Sequence, residues 1–199
     1  MNILYLVGIK HSGKSKLGHV ASVALGTRYR TAFADIDELI MQSLKGSGVI
    51  SVRQFYQSHG KEEFMRREYA ALQEYVETLE HYRHDVLIIS TGGGACDNEP
   101  LVSFMKQSGK LLYLYLPEQI LFERILASGI PPFISQEDPK RSFHELFTYR
   151  NARYRQISDY MVQLSDYQSV AENGQRLTQA ILNLLERGPI CQETHLEQL

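Results

Sequence analysis

The segment from Gly8 to Ser15 carries the strongest chemical signal in the chain, because its sequence, GIKHSGKS, has the spacing G-x-x-x-x-G-K-S. Glycines at such positions permit a turn in which backbone N–H groups point at phosphate oxygens, helped by the positive end of the following helix. Lys14 supplies positive charge to the β- and γ-phosphates, and the Ser15 hydroxyl can ligate Mg²⁺. Because the segment follows an apolar run and opens an amphipathic pattern, it predicts a nucleotide-phosphate site.

Asp35 and Asp37 form a second candidate group, two residues apart at the end of a predicted strand. If the chain stays extended there, both carboxylates face the same side. That side is the crevice beyond the carboxyl ends of the strands, where α/β sheets bind ligands. One carboxylate could then hold water on Mg²⁺ while the other accepts a proton from a substrate hydroxyl. The alternative for Asp35 is that it caps a helix from Ile36 to Leu44.

A third group is the run Gly92, Gly93 and Gly94, which follows another apolar run. Three residues without side chains allow a ligand to lie against backbone N–H groups. The alternative is a flexible exit from a strand, without a binding role.

Apolar runs and helical periodicities place these groups in a chain that alternates strands and helices. Short apolar runs typical of buried parallel strands predict strands at Ile3–Val7, Tyr29–Ala34, Val86–Ile89, Lys110–Leu116 and Tyr160–Leu164. Helical spacing predicts helices at Lys14–Leu25, Lys61–Tyr82 and Val170–Glu186. The alternation indicates an α/β fold, with helices on both faces of a five-stranded parallel sheet. The proline-rich segment at about 129–141 lacks periodicity and is interpreted as a lid.

The overall composition argues against several classes of protein. The 199 residues contain 21 Lys plus Arg and 23 Asp plus Glu, a net charge of −2, whereas nucleic-acid binding needs concentrated positive charge. No apolar run approaches the roughly 20 residues of a membrane span, and the first residues lack a signal-peptide pattern. The two cysteines, Cys96 and Cys191, fit a reducing compartment. We therefore expect a cytoplasmic protein with neither a nucleic-acid nor a membrane partner. We also expect one domain over residues 1–187 and a polar tail over 188–199. No feature of the sequence demands more than a monomer.

Taken together, the motifs resemble those of shikimate kinases, which are P-loop enzymes similar to nucleoside-monophosphate kinases. The resemblance runs from about Asn2 to Leu185 and follows the family's order: the phosphate loop, Asp35-Ile36-Asp37, GKEEFMRRE at Gly60–Glu68, TGGGA at Thr91–Ala95, a lid around residues 131–133, and RNARY at Arg150–Tyr154. It implies a three-layer α/β/α P-loop kinase fold. It also implies transfer of a phosphoryl group from ATP, with Mg²⁺, to a hydroxyl of a small anionic hydroxy acid, namely shikimate, giving shikimate 3-phosphate for aromatic amino-acid biosynthesis.

The same resemblance assigns a role to each candidate residue. The implied nucleotide-binding set is Gly8, Ser12, Gly13, Lys14, Ser15, Lys16 and Arg124, the last against the adenine. Ser15 and Asp35 would hold the metal, and Lys14 and Asp37 would be catalytic. The implied acceptor set is Asp37, which would bind the acceptor hydroxyls, the three glycines from Gly92 to Gly94, and Arg150, which would bind the acceptor carboxylate.

Two departures from the family pattern concern positive charge. Met65 stands where the family has an arginine that pairs with the shikimate carboxylate, and Pro131 stands at the position of the lid arginine. Losing one charge-assisted hydrogen bond costs about 1.5–3 kcal/mol, and a cation that stabilises phosphoryl transfer contributes about 10³–10⁵ in rate. Two alternatives therefore stand beside shikimate phosphorylation: a related kinase with another acceptor, and a degenerate nucleotide-binding regulatory protein.

Basic residues near the two gaps are candidates for compensation. Arg66 is next to Met65, but one helical step turns it about 100° away. Lys140 and Arg141, at the end of the lid, could reach the phosphates when the lid closes; the alternative is that both are solvated surface residues.

Overall fold

A five-stranded parallel sheet organises the chain, and its strand order is β2-β3-β1-β4-β5. The computed structural model describes residues 1–79, 83–131, 133–166 and 168–187. The strands are β1 (Asn2–Val7), β2 (Thr31–Asp35), β3 (Val86–Ser90), β4 (Lys110–Tyr115) and β5 (Tyr160–Gln163). The helices within those ranges are α1 (Lys14–Leu25), α2 (Ile36–Ser43), α3 (Val52–Leu79), α4 (Glu99–Ser108), α5 (Glu118–Ser128), α6 (Pro139–Ile157) and α7 (Val170–Arg187). The predicted α/β class with a five-stranded parallel sheet is confirmed.

The central strands are apolar along most of their length because helices cover both faces of the sheet. Every residue of β3 is buried, and β1 lies between β3 and β4 in parallel register. The edge strand β5 buries only Val162 among its four residues. The loops that follow β1, β2 and β3 all leave the carboxyl edge of the sheet, so the phosphate loop, the two aspartates and the glycine run meet there.

Alternate residues of β1 identify the helices on each face. Leu6 faces α1, where a Cβ on Gly18 would lie 2.8 Å from the Leu6 Cδ1 atom, so the helix packs closely on the sheet only because residue 18 is a glycine. The neighbouring Tyr5 points to the opposite face, and its hydroxyl is 2.8 Å from the Ser108 hydroxyl of α4. Helix α6 covers that second face, since Tyr154 stacks on Tyr113 of β4 at 5.2 Å.

On the first face, α7 packs against α1. A Cβ on Gly174 would lie 2.5 Å from the Val20 side chain, so this glycine permits the close approach of the two helices. The molecule therefore has three layers, with α1 and α7 on one side of the sheet and α4 and α6 on the other.

The largest difference from the predicted elements concerns α3. The predicted helix began at Lys61, whereas α3 begins at Val52 and is interrupted at Gly60, whose φ of 80° and ψ of 178° are not helical. The segment before Gly60 is short, and its apolar residues at helical spacing, Val52, Phe55 and Tyr56, span only about one turn, so periodicity alone did not identify it. The predicted end at about Tyr82 lies outside the described residues, and the described part of α3 reaches Leu79. Predicted strand ends differ from the observed ones by one or two residues, and α2 ends at Ser43 rather than Leu44.

The end of the predicted lid can be compared with the structure, whereas the predicted tail cannot. Helix α6 begins at Pro139, inside the segment interpreted as a lid. The predicted polar tail, 188–199, lies outside the described residues. Among the helices that the structure describes, none is long and apolar enough to cross a membrane.

Candidate active site

The phosphate loop is a tight turn that links β1 to α1. Gly8 and Gly13 have φ values of 149° and 89°, and His11 has a φ of 67°. A Cβ on Gly8 would lie 2.8 Å from the carbonyl oxygen of Leu114 in β4. No side chain caps the first turn of α1, whose N-cap residue is Gly13. The N-terminal amides of α1 therefore have no side-chain partner, as a phosphate-binding loop requires.

The Lys14 ammonium lies inside this loop and is 7% exposed. It donates hydrogen bonds to the carbonyl oxygens of Gly8 at 2.8 Å and Ile9 at 3.2 Å. Burial lowers the pKa of Lys14 to about 8, although the negative charges of Asp37 and Asp35 oppose that decrease. The Ser12 hydroxyl is also buried in the loop and has no hydrogen-bond partner among the described residues. A phosphate in the loop would give the Ser12 hydroxyl a partner and Lys14 a negatively charged one.

Oxygen donors suited to a divalent cation lie beside the loop. The Ser15 hydroxyl is 3.2 Å from the hydroxyl of Ser90 in β3, and Ser90 is paired in register with Asp35 of the adjacent strand. Hydroxyl and carboxylate oxygens are the ligands that Mg²⁺ prefers, usually together with water. The donor set therefore fits Mg²⁺. Sequence reasoning missed Ser90, because its proximity to Ser15 depends on strand register.

Asp35 also caps α2, which was the alternative interpretation of this residue from the sequence. Its carboxylate accepts a hydrogen bond from the backbone N–H of Asp37 at 3.0 Å. The chain does not stay extended between the two residues, since β2 ends at Asp35 and Asp37 is in the first turn of α2. The expected extended geometry is therefore wrong. Asp35 lies at the N-terminus of α2 and beside Ser90 of β3, so capping and metal binding are compatible.

Asp37 is at the boundary between the phosphate loop and a cavity of about 740 Å³. Its carboxyl is open to solvent through the cavity, but the surrounding protein limits its hydration and raises its pKa. The nearby charge of Asp35 adds to that increase, while Lys14 and Lys10 oppose it. A carboxylate whose pKa is raised is better matched to accepting a proton from a hydroxyl.

The cavity, called the acceptor cavity below, contains the residues expected to bind the acceptor. Its lining includes Asp37, the glycines at 92–94 and Arg150, together with Met65 and Pro131. The structure therefore brings together the two positions that lack arginine and the expected acceptor residues. A Cβ on Gly93 would lie 2.7 Å from the backbone nitrogen of Lys10, so this glycine allows the cavity wall to touch the phosphate loop.

Arg150 of α6 is held by the short 3₁₀ turn, Ala95–Asp97, that follows the glycines. Its guanidinium donates to the Asp97 carboxylate at 2.8 Å and to the Gly93 carbonyl at 3.0 Å. The side chains of Arg150 and Asp97 are each 12% exposed. A residue expected to bind the acceptor carboxylate is thus paired with a carboxylate of the protein itself. Sequence reasoning missed Asp97, because no motif marks it.

Glu68 of α3 is the most deeply buried carboxyl group that lines the acceptor cavity, at 1% exposed. Its Oε2 atom accepts from the Asn98 amide at 3.1 Å, whereas its Oε1 atom has no hydrogen-bond partner in the described part of the chain. Burial raises the pKa of Glu68 to about 7; the Asn98 hydrogen bond and Arg150 oppose this, and Asp37 and Asp97 add to it.

Arg124 contacts the phosphate loop from α5. It donates to the His11 carbonyl at 2.9 Å and forms an ion pair with Asp166. The His11 ring is 2.9 Å from the hydroxyl of Ser128, the last residue of α5 before the segment interpreted as a lid. Lys16 is exposed on α1. Arg124 therefore contacts the phosphate loop, and its role against the adenine stays a prediction.

Besides Arg150, three positively charged residues line the acceptor cavity, and they were not predicted there from the sequence. Lys10, Arg53 and Lys61 line it, and all three are exposed. Of the anticipated substitutes, Arg66 forms an ion pair with Glu63, and Arg141 pairs with Glu145 along its own helix at 3.0 Å. Lys10 has no sequence signal because it occupies a variable position of the loop motif, and only the fold brings it to the cavity.

Comparison with known proteins gives a consistent result. A family model described as shikimate kinase matches residues 10–186. A shikimate kinase of Neisseria meningitidis serogroup C (strain 053442) is 28% identical over 184 residues, covering 92% of this chain and 96% of that protein. A shikimate kinase of Acinetobacter baumannii (strain AYE) is 26% identical over 180 residues, covering 90% of this chain and 92% of that protein.

Solved structures agree with these sequence relatives. The structure of the shikimate kinase from Acinetobacter baumannii in complex with shikimate superposes with a TM-score of 0.72 at 26% identity and covers 96% of each chain. The crystal structure of the shikimate kinase from Aquifex aeolicus gives a TM-score of 0.71 at 25% identity, covering 94% of this chain and 99% of that one.

Proposed function

The chain belongs to the shikimate kinase family, and on that basis we propose that it transfers the γ-phosphoryl group of ATP to the 3-hydroxyl of shikimate. The products are ADP and shikimate 3-phosphate. The observation that carries the proposal is the position of Asp37, which lines the acceptor cavity and is close enough to Lys14 for each charge to alter the pKa of the other.

Nucleotide binding falls to the phosphate loop and its surroundings. We assign the loop residues Gly8, Ser12, Gly13, Lys14, Ser15 and Lys16 to the ATP phosphates, and Arg124 to the adenine side. Ser15 and Asp35 would hold Mg²⁺, which neutralises charge on the phosphates when bound. When phosphate enters, Lys14 exchanges its two carbonyl partners for phosphate oxygens, so its charge is available where negative charge accumulates.

Transfer then needs a hydroxyl in line with the γ-phosphorus and a group to take its proton. The acceptor oxygen forms a bond to the γ-phosphorus, the bond from that phosphorus to the bridging oxygen of ADP breaks, and the hydroxyl proton passes to the Asp37 carboxylate. Lys14 stabilises the charge that develops on the departing ADP. The glycines at 92–94 provide a wall on which a ring can lie close to the backbone, and Arg150 faces the acceptor carboxylate.

The test is a coupled assay of ADP release with Mg-ATP and shikimate, with the product identified by ³¹P NMR. Formation of shikimate 3-phosphate supports the proposal. Binding of ATP without phosphorylation of millimolar shikimate would refute it. Asp37→Asn distinguishes enzyme turnover from contaminating kinase activity, because the variant keeps the fold and removes the proton acceptor.

The two alternatives considered from the sequence are not favoured. A degenerate nucleotide-binding protein would have little need for a carboxylate between the phosphate loop and the acceptor cavity, yet Asp37 lies there with a raised pKa. A different acceptor was suggested by Met65 and Pro131, but the family match covers most of the chain.

A further inference from the structure

We propose that Asp97 occupies Arg150 in place of the acceptor carboxylate, so that an incoming acceptor must compete with this internal carboxylate for the same guanidinium. Asp97 is then a residue that sets acceptor affinity and specificity. The inference rests on the proposed function, because it concerns the cavity in which shikimate would bind.

The geometry of the pair supports this inference. Both terminal nitrogens of Arg150 already donate, one to Asp97 at 2.8 Å and the other to Gly93 at 3.0 Å. Each side chain of the ion pair is 12% exposed, and both line the acceptor cavity. A pair that is largely shielded from water interacts more strongly than a surface pair. A ligand carboxylate therefore meets a guanidinium whose charge is already neutralised.

The surroundings of the pair offer the acceptor few other fixed cations. Met65 and Pro131 both line the same cavity, and neither carries a charge. The remaining cations of its lining, Lys10, Arg53 and Lys61, are exposed side chains that lose rotamer freedom on binding. Arg150 is thus the one partly buried guanidinium among the described residues of this lining, and competition for it has a large effect on affinity.

A purely structural role for Asp97 predicts the opposite result. If Asp97 serves only to hold Arg150 in position for the ligand, removing its charge loosens the guanidinium and weakens binding. If Asp97 competes with the ligand, removing its charge strengthens binding. The sign of the change in shikimate affinity therefore separates the two roles.

The experiment compares Asp97→Asn with a matched control, Glu99→Gln. Glu99 is two residues further along and also pairs with an arginine of α6, Arg153, but it does not line the acceptor cavity. The full-length proteins are titrated calorimetrically with shikimate, with a shikimate analogue that carries a hydroxymethyl group in place of the carboxylate, and with ADP. Asp97→Ser is a second variant in case the first does not fold.

We expect Asp97→Asn to lower the dissociation constant for shikimate about tenfold, the effect of about 1.4 kcal/mol. Its dissociation constants for the hydroxymethyl analogue and for ADP stay unchanged, and Glu99→Gln matches the wild type with every ligand. An unchanged or weaker affinity of the Asp97 variants for shikimate overturns the proposal.

Binding is measured without turnover, so the two proposals fail separately. Tighter binding by Asp97→Asn without any shikimate 3-phosphate from Mg-ATP would overturn the proposed function and leave the competition intact. Turnover by the wild type without tighter binding by the variants would overturn the competition alone. Absence of shikimate binding in every variant would overturn both.

Discussion

Replacing Glu68 by glutamine is expected to change how the stability of the fold depends on pH. Glu68 is 1% exposed, and its pKa rises from 4.5 to about 7 because it is buried. The folded state therefore holds the proton more tightly than the unfolded state. The stabilisation is fully present below about pH 4.5, and it is lost as the pH rises through the folded pKa of about 7. Glutamine has nearly the same shape and does not ionise, so the variant lacks this loss.

The magnitude follows from the difference between the two pKa values. At about 1.4 kcal/mol per pKa unit, the full loss for the wild type is about 3 kcal/mol, and most of it falls between about pH 5 and about pH 8. The free energy of unfolding of Glu68→Gln relative to the wild type is therefore expected to rise by about 2–3 kcal/mol across that interval. Urea denaturation followed by circular dichroism at both pH values measures it.

The matched control is Glu62→Gln, which makes the same change at an exposed position of α3. Its free energy of unfolding relative to the wild type should be the same at both pH values. The reasoning is refuted if the Glu68→Gln difference is also independent of pH, because the buried carboxyl would then ionise equally in the folded and unfolded states.

Three further variants test the active site. The double change Met65→Arg with Pro131→Arg adds two cations to the acceptor cavity and should raise kcat/KM for shikimate at least tenfold. Ala70→Arg, which adds one arginine at an exposed position of α3 outside the cavity, should leave kcat/KM unchanged. No gain by the double variant would contradict the placement of the gaps. Asp37→Asn should lower kcat about 10²–10⁴-fold with little change in KM for ATP, and a loss confined to KM would argue against its role as proton acceptor. Lys14→Met should abolish turnover. It should also stabilise the fold by up to about 3 kcal/mol near neutral pH, because burial lowers the pKa of Lys14 from 10.5 to about 8 and so disfavours its charged form in the folded state. A lower free energy of unfolding of the variant in urea denaturation would contradict this.

The parts of the site that follow from local sequence were predictable. The phosphate loop depends on glycines at fixed spacing between a strand and a helix, and both are visible in the sequence. The central strands β1, β3 and β4 were also predictable, because strands buried on both faces need continuous apolar runs. The meeting of Asp35, Asp37 and the glycines at 92–94 then follows from the parallel sheet, whose strands end at one edge.

Long-range pairings were not predictable from the same information. Asp97 meets Arg150 across 53 positions of sequence, and nothing local to either residue specifies the contact. Lys10 reaches the acceptor cavity only because Gly93 allows the loop and the glycine run to touch. The first part of α3 escaped prediction because it is too short for its apolar pattern to repeat, and its stability comes from tertiary packing, in which Phe55 is buried.

Asn98 joins two helices, α3 and α4, next to the acceptor-cavity residues Met65 and Glu68. Its amide nitrogen donates to the Met65 carbonyl at 2.8 Å and to Glu68 at 3.1 Å, while its amide oxygen accepts from the Leu101 backbone at 3.5 Å. One side chain thus fastens the middle of α3 to the first turn of α4, and it is 2% exposed. Separating either helix breaks these bonds at a buried site, so both helices open together. In native-state hydrogen exchange, we therefore expect the amides of α4 and of the central turns of α3 to exchange as one cooperative unit.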